Sequence, residues 1–242
     1  MTPAPGADPA DFWAEAESLT RALINQLDYF EALGVAGLPW KEWPEPVSSA
    51  PAPAAGTLAG LADLTRACRA CPGAQAGPPP VPGRGGDRPL VVVVGPTPAM
   101  YEAAAGTLLT AMIEKGLKLG PEEYYLTSLI KCQPAEGQAP ASGADQRCRP
   151  ILQRELARLR PKLVLALGRK PGQQLCGLPE PLGALRTRSH TLPGLPGVWL
   201  RVTYGLEDML ASPEIKTAVW QDLKKIIPGL AKLRETSGDH AQ

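Results

Sequence analysis

The run Leu90-Val91-Val92-Val93-Val94 decides the fold class of this 242-residue chain. An uninterrupted apolar run rich in β-branched residues is typical of a strand that is buried on both faces of a sheet. Three similar runs follow, and segments with helical periodicity separate them. The predicted strands are residues 90–94, 124–130, 163–167 and 198–204, and the predicted helices are residues 100–115, 144–159, 169–175 and 213–227. This alternation predicts an α/β fold of three layers, in which helices flank a central four-stranded parallel sheet.

The rest of the chain divides into segments around this unit. Residues 1–40 are predicted to form an amphipathic helical extension, because large apolar residues recur there at helical spacing. Proline and alanine dominate residues 41–57, which is typical of a semi-rigid linker. The folded domain is then expected to span residues 58–230, and residues 231–242 form a polar tail.

Composition and charge exclude some classes of protein. No apolar run approaches the roughly 20 residues that a membrane helix requires, and the first residues do not resemble a secretory signal, so a cytoplasmic location is expected. The formal net charge of +1 neither demands nor excludes a nucleic-acid partner. Between Arg147 and Lys170, however, eight basic residues stand against Glu155 alone. This basic run could follow a phosphate backbone or form a solvated helix face.

The cysteines suggest a thiolate site. Cys68 and Cys71 form a C-x2-C pair before the first strand, Cys132 follows the second strand, and Cys148 lies in the next helix. Disulfides are rare in a reducing compartment, and both zinc and a 4Fe-4S cluster accept four thiolates. The wide and uneven gaps fit a paired zinc ribbon poorly, but spacing alone leaves the metal open. The fifth cysteine, Cys176, is expected to be a small buried apolar residue.

Several spaced motifs occur in order between about residues 60 and 228. They are Arg66-Ala67-Cys68-Arg69-Ala70-Cys71, Val81-Pro82-Gly83-Arg84-Gly85, Tyr125-Leu126-Thr127-Ser128-Leu129-Ile130-Lys131-Cys132-Gln133-Pro134, Cys148-Arg149-Pro150-Ile151-Leu152 and Arg160-Pro161-Lys162-Leu163-Val164-Leu165-Ala166-Leu167-Gly168. This series resembles the family 4 uracil-DNA glycosylases. The resemblance implies a glycosylase-like domain, single-stranded or damaged DNA as the partner, and a structural 4Fe-4S cluster. Its ligands would be Cys68, Cys71, Cys132 and Cys148, with zinc as the alternative metal.

The resemblance also implies where the family's catalytic residues would lie. The glutamate after the first strand, the asparagine that reads uracil and the histidine after the last strand correspond here to Pro96, Ser128 and Gly205. The loop that carries the stacking phenylalanine is shortened after Glu102, and the arginine of the last motif is Ala211. Proline and glycine offer no side-chain acid, base or hydrogen-bond donor. These positions therefore predict a vestigial pocket with no catalytic residue carried over.

Under the resemblance, three basic residues are predicted to contact DNA. Lys131 lies in the motif that ends the second strand, and Arg186 and Arg188 lie in a loop that in the family runs close to the DNA. His190 follows in the same loop and is expected to be a solvent-exposed histidine. The sequence thus predicts a DNA-binding protein of DNA repair whose base-excision activity is lost or strongly altered.

Two other functions remain open from the sequence. Glu102 could serve an active glycosylase with a rebuilt pocket or simply lie on a helix surface. Glu207 and Asp208 follow the last strand, where they could serve catalysis, a different substrate or a protein partner. A protein-interaction module is the other alternative, in which the N-terminal helix binds a repair or replication protein and DNA is not bound. The basic residues favour DNA over this last interpretation.

Overall fold

A computed structural model of the protein describes residues 57–134 and 139–238. The predicted helical extension at residues 1–40 and almost all of the linker at 41–57 lie outside the described residues, as do residues 239–242. None of the described helices combines the length and the apolar character needed to cross a bilayer.

A mostly parallel sheet forms the centre of the described domain. Its strands, in chain order, are β1 (Arg84–Gly85), β2 (Val91–Gly95), β3 (Tyr124–Ser128), β4 (Leu163–Leu167), β5 (His190–Thr191) and β6 (Trp199–Thr203). In space the order is β1-β3-β2-β4-β6-β5. The four central strands are parallel, which confirms the predicted sheet. The antiparallel edge strands β1 and β5 were not predicted, because two residues are too few for a periodic pattern.

Eight α-helices lie in the described part of the chain. They are α1 (Leu58–Arg66), α2 (Pro72–Ala76), α3 (Ala103–Thr110), α4 (Ala144–Leu159), α5 (Arg169–Cys176), α6 (Leu182–Thr187), α7 (Leu206–Ala211) and α8 (Pro213–Gly238). The predicted helix at 100–115 is divided: a 3-10 turn at Pro98–Tyr101 precedes α3, and a π-helical turn at Ala111–Gly116 follows it. The predicted bounds of α4 agree with the structure. The helix ends where the sequence signals it, because Arg160 adopts a left-handed conformation directly before a proline.

Both faces of the sheet are covered, as expected from the apolar strands β2 and β4. Val92 and Val94 of β2 pack with residues of α4, α5 and α6, whereas Val91 and Val93 pack with residues of α3, α7 and α8. The four valines are fully buried. Alternate residues of a strand point to opposite faces, so one continuous apolar run supplies both cores.

Helix α8 extends beyond the predicted end of the domain. The sequence places a helix at 213–227 and a polar tail from 231, but α8 continues through Pro228 to Gly238. Leu230 is buried in the core, and Arg234 donates from Nε and Nη2 to the Glu123 carboxylate at 2.7 and 2.6 Å. Residues 231–238 are therefore helical, because tertiary contacts hold the chain past the proline.

The connections create a crevice at one end of the sheet. From β2 the chain moves to β3 on one side, and it then crosses to β4 on the other side of β2. The segments that follow β2 and β4 therefore diverge at this switch point. In open α/β sheets, ligands bind in the crevice beyond the carboxyl ends of such strands.

The central strand β4 allows a direct test of this core. Leu165→Ala removes a fully buried side chain and is expected to lower the free energy of unfolding by about 2–5 kcal/mol. Leu210→Ala in α7 serves as the control, because Leu210 is 43% exposed and its loss should change stability by no more than about 0.5 kcal/mol. Urea denaturation of both variants measures the difference, and equal effects would contradict the assignment of the core.

Candidate functional site

The crevice encloses a cavity of about 240 Å³ at the carboxyl ends of three strands. Pro96 follows β2, Gly168 follows β4 and Gly205 follows β6. Its walls are mainly apolar, with Met100 and Leu206 among them. A wider outer groove shares part of this lining and continues towards the segment after β3. The crevice therefore has room for a small chemical group and opens beside the outer groove.

Charged side chains lie at the rim of the crevice and not at its base. Arg169, Lys170, Glu207 and Asp208 line the cavity, and all four are exposed residues. An Asp208 carboxylate oxygen accepts a hydrogen bond from the Gly205 backbone N–H at 3.1 Å, so it caps α7. Two cations and two carboxylates balance each other, so these four rim residues have no net formal charge.

The structure brings two of the three vestigial positions together. Pro96 and Gly205 both line the crevice, as the sequence predicts for residues that follow β2 and β6. Ser128, at the end of β3, is 1% exposed, and its hydroxyl donates to the Ile130 carbonyl oxygen at 2.9 Å. Among the described residues that line the crevice and the outer groove, Ser128 does not appear. Tyr101, which the sequence did not single out, lies next to Ser128.

The four predicted ligand cysteines come from three parts of the fold. Cys68 and Cys71 lie between α1 and α2, Cys132 follows β3, and Cys148 is in the second turn of α4. Cys71, Cys132 and Cys148 are at most 7% exposed, and Cys68 is partly exposed. Burial raises the pKa of the Cys132 thiol to about 12, and the neighbouring thiols of Cys71, Cys148 and Cys68 contribute to this increase. The four sulfur atoms are therefore close enough to interact electrostatically.

The donor set fits a group that four thiolates hold. Burial raises the pKa of Cys148, but a hydrogen bond from the Lys131 backbone N–H opposes this change and favours the thiolate. Thiolates are the ligands of both iron–sulfur clusters and structural zinc. Among the described residues, however, no three or more His, Cys, Asp or Glu side chains are already arranged around one metal position.

Comparison with known proteins gives the family. The family model described as "Uracil DNA glycosylase superfamily" matches residues 82–224, which is more than half of the chain. The chain belongs to this superfamily. The match covers the whole parallel sheet, the crevice and two of the four cysteines, so the resemblance seen in the motifs is confirmed.

Type-4 uracil-DNA glycosylases from several organisms are similar to this chain in sequence. The type-4 uracil-DNA glycosylase of Saccharolobus solfataricus is 28% identical over 185 residues, which cover 71% of this chain and 85% of the relative. That of Pyrobaculum aerophilum is 27% identical over 184 residues, or 70% of this chain and 92% of the relative. That of Archaeoglobus fulgidus is 32% identical over 129 residues, which cover 49% of this chain and 64% of the relative.

Lys131 is not placed to contact DNA in this glycosylase-superfamily fold. Its side chain is 1% exposed, and Nζ lies 2.7 Å from an oxygen of Glu155 on α4. The Lys131 ammonium also donates to the Thr127 hydroxyl, which in turn donates to the same Glu155 oxygen at 2.6 Å. Burial lowers the pKa of Lys131, although Glu155 opposes this shift. The prediction of a DNA contact is corrected to a buried ion pair between β3 and α4.

The two predicted arginine contacts differ from each other. Arg186 donates from Nε to Asp222 at 2.9 Å, its guanidinium lies 4.0 Å from the Tyr204 ring centroid, and its side chain is only 16% exposed. It joins α6 to α8, which corrects the prediction that it binds phosphate. Arg188 is exposed and pairs with Glu180 at 2.6 Å, so its DNA contact stays a prediction.

His190 is partly buried, contrary to the expected exposed histidine. A ring nitrogen, Nε2, lies 2.9 Å from the Leu185 carbonyl oxygen, and the residue belongs to β5. The short edge strand explains the difference, because pairing with β6 draws the loop onto the sheet.

The Lys131–Glu155 pair predicts a characteristic pattern of stability. Lys131→Met or Glu155→Leu alone is expected to cost about 3–5 kcal/mol of unfolding free energy, because each leaves a buried charge without its partner. The double variant Lys131→Met with Glu155→Leu should recover most of this loss, since no charge then remains buried. Arg66→Met is the control: it breaks an exposed pair with Asp63 and should cost less than about 1 kcal/mol. Urea denaturation measures the unfolding free energy of all variants. A double variant that loses the sum of the two single losses would show that the two residues are not coupled.

Proposed function

We propose that this protein of the uracil DNA glycosylase superfamily binds single-stranded or damaged DNA in DNA repair and has lost ordinary uracil excision or strongly altered it. One observation carries the proposal: at the crevice, where the motifs imply an acid and a histidine, the residues present are Pro96 and Gly205. Neither can position water or stabilise charge on a leaving base. Ser128, at the base-reading position, is buried and already bonded to the backbone.

DNA binding is supported by the surface that α4 and its flanking segments expose. All eight basic residues of the run are exposed, namely Arg147, Arg149, Arg154, Arg158, Arg160, Lys162, Arg169 and Lys170. Glu155, the one acidic residue in that run, is buried with Lys131 and does not offset their charge at the surface. The exposed ionised groups of residues 147–170 are therefore all cationic, as a surface that binds phosphates requires.

The four cysteines would hold a 4Fe-4S cluster, with zinc as the alternative. The cluster would supply a covalent cross-link between the α1–α2 segment, the end of β3 and α4. No described residue of the crevice is a cysteine, which favours a structural role over a catalytic one. The support for the cluster is the set of four interacting thiols together with the resemblance to the family 4 enzymes.

Single cysteine variants test the ligand set. Cys71→Ser, Cys132→Ser and Cys148→Ser are expected to abolish the brown colour and the bound iron, because each removes one thiolate. Cys176→Ser is the matched control and should keep both, since Arg188 and Glu180, and none of the other cysteines, are the charged groups that influence the pKa of Cys176. Iron and acid-labile sulfide are measured together with zinc in anaerobically purified protein. A colourless preparation with one zinc per chain would instead establish the alternative.

Activity and DNA binding are tested on the intact protein. We expect no release of uracil from single-stranded DNA under conditions in which a type-4 enzyme reacts to completion. We also expect binding that weakens with salt, with a slope of roughly −0.7 for each phosphate contact. Arg154→Glu should weaken binding and flatten the slope, whereas Lys216→Glu, at an exposed position of α8 outside the basic run, should change neither. Robust uracil release would overturn the loss of excision, and no binding at low salt would favour the protein-interaction module.

An altered base choice is the second candidate, and one observation favours it. Glu102 and Glu207 are exposed carboxylates that line the outer groove beside Pro96. A carboxylate there could orient water towards a damaged base. A screen of several damaged bases with the wild-type chain, Glu102→Gln and Glu207→Gln decides this point, because release that depends on either carboxylate would establish a rebuilt site.

A further inference from the structure

A second groove lies along the edge strand β5. It has a volume of about 480 Å³, and its lining includes Ser189, Thr191 and Trp199. None of its lining residues belongs to the crevice or to the outer groove beside it. This edge groove is therefore a separate candidate site.

A buried guanidinium stands behind the edge groove. Arg201 of β6 is 9% exposed, and its Nη1 donates to the Ser189 hydroxyl oxygen at 2.8 Å. Its Nη2 is buried and has no hydrogen-bond partner among the described residues. The carboxylate of Asp222, which accepts from Thr203 of the same strand, is paired with Arg186. A buried cation without a counter-ion is costly, so an anion beside Arg201 would stabilise it.

The hydroxyl of Ser189 is placed to donate to such an anion. Ser189 is exposed and directly precedes β5. Because its oxygen accepts from the Arg201 guanidinium, its own hydrogen points elsewhere, and no acceptor among the described residues bonds it. The donor is therefore available to a ligand in the edge groove. The cation behind it favours an oxyanion as the acceptor, since charge-assisted hydrogen bonds are the stronger ones.

The indole of Trp199 forms an aromatic wall of the same groove. Trp199 lies directly opposite Thr191, and Arg201 is two residues further along β6, so these three side chains share one face of the sheet. Trp199 is 54% exposed. A Cβ added at Gly229 would lie 3.5 Å from the indole, so the ring packs against α8 on one side and is open on the other. Nucleobases stack on aromatic rings exposed in this way.

We propose that the edge groove binds a nucleotide, with the base stacked on Trp199 and the phosphate bonded to Ser189 in front of Arg201. Residues two apart along a strand are separated by about 7 Å, a distance that a base and its own 5′-phosphate can span. The ligand is a nucleoside phosphate, either free or within a DNA strand. The site goes beyond the proposed function, since it shares no residue with the crevice or with the basic run at 147–170.

Nucleotide binding is tested on the full-length protein with thymidine 5′-monophosphate. The wild-type chain should bind it at least about tenfold more tightly than thymidine, because only the nucleotide carries the anion. Trp199→Ala should weaken binding at least about tenfold through the loss of stacking. Trp220→Ala is the matched control and should leave binding unchanged, since Trp220 is a 40% exposed indole on α8 outside the edge groove. Nuclear magnetic resonance titration measures these affinities.

The variant Ser189→Asp tests the buried cation separately. Its carboxylate would supply the missing anion beside Arg201, so the variant should lose nucleotide binding and melt about 2–4 °C higher than the wild-type chain. Thr187→Asp, at an exposed position two residues earlier, is the control and should gain no stability. A Ser189→Asp variant that melts no higher than the wild-type chain would show that Arg201 needs no anion.

Three binding results would overturn the site. A wild-type chain that does not bind thymidine 5′-monophosphate at about 10 mM would show that the edge groove takes no nucleotide. Equal affinity for thymidine would exclude the phosphate position, and equal effects of Trp199→Ala and Trp220→Ala would exclude the stacking surface.

Competition distinguishes the two sources of the nucleotide. A short thymidine oligonucleotide that displaces thymidine 5′-monophosphate from the wild-type chain identifies a nucleotide within a DNA strand, whereas no displacement identifies the free nucleotide. Binding of the free nucleotide depends neither on the basic surface of α4 nor on excision. A failure here is therefore distinguishable from a failure of the proposed function.

Discussion

The ion pair between Lys131 and Glu155 holds together the parts of the domain on which its proposed chemistry depends. Glu155 lies two turns after Cys148 on α4, and Lys131 directly precedes Cys132 at the end of β3. The backbone of Lys131 also donates towards the Cys148 sulfur and accepts from the Val81 N–H at 2.7 Å. Lys131 therefore connects the segment that contains Cys132 to α4, which contains Cys148, through its side chain, and to the segment that leads into β1 through its backbone.

The same pair determines the charge of the surface above it. Because Glu155 faces inward, the exposed side of α4 carries arginines without a carboxylate from its own helix beyond the first turn. The cysteine site and the basic surface are then two faces of one helix, and a change that tilts α4 would alter both. The crevice lies at the ends of β2, β4 and β6, where Arg169 and Lys170, the last two residues of the basic run, stand at its rim with Glu207 and Asp208.

Periodicity was sufficient for the layers and for the four central strands to within two residues, but it did not predict α1, α2, α6 or α7. The bounds of β4 and α4 could be predicted to the residue, because an apolar run and a helix closed by Arg160 before a proline are local signals. Burial of Lys131 and Arg186 could not be predicted, because each depends on a carboxylate from a distant element. The burial of Ser128 outside the crevice likewise depends on how the segments around the end of β3 pack together. Motif comparison identifies which residue corresponds to a functional residue of the family. Packing decides whether that residue faces the crevice.

The two outermost strands of the sheet have only two residues each. An exposed strand edge is a template for pairing with another chain, and proteins commonly protect such edges with very short or charged strands. Strand β1 presents Arg84, and β5 is followed by a turn, so neither edge offers a continuous ladder of free backbone groups. A domain whose central strands are long apolar runs is thereby protected from aggregation at both ends of its sheet.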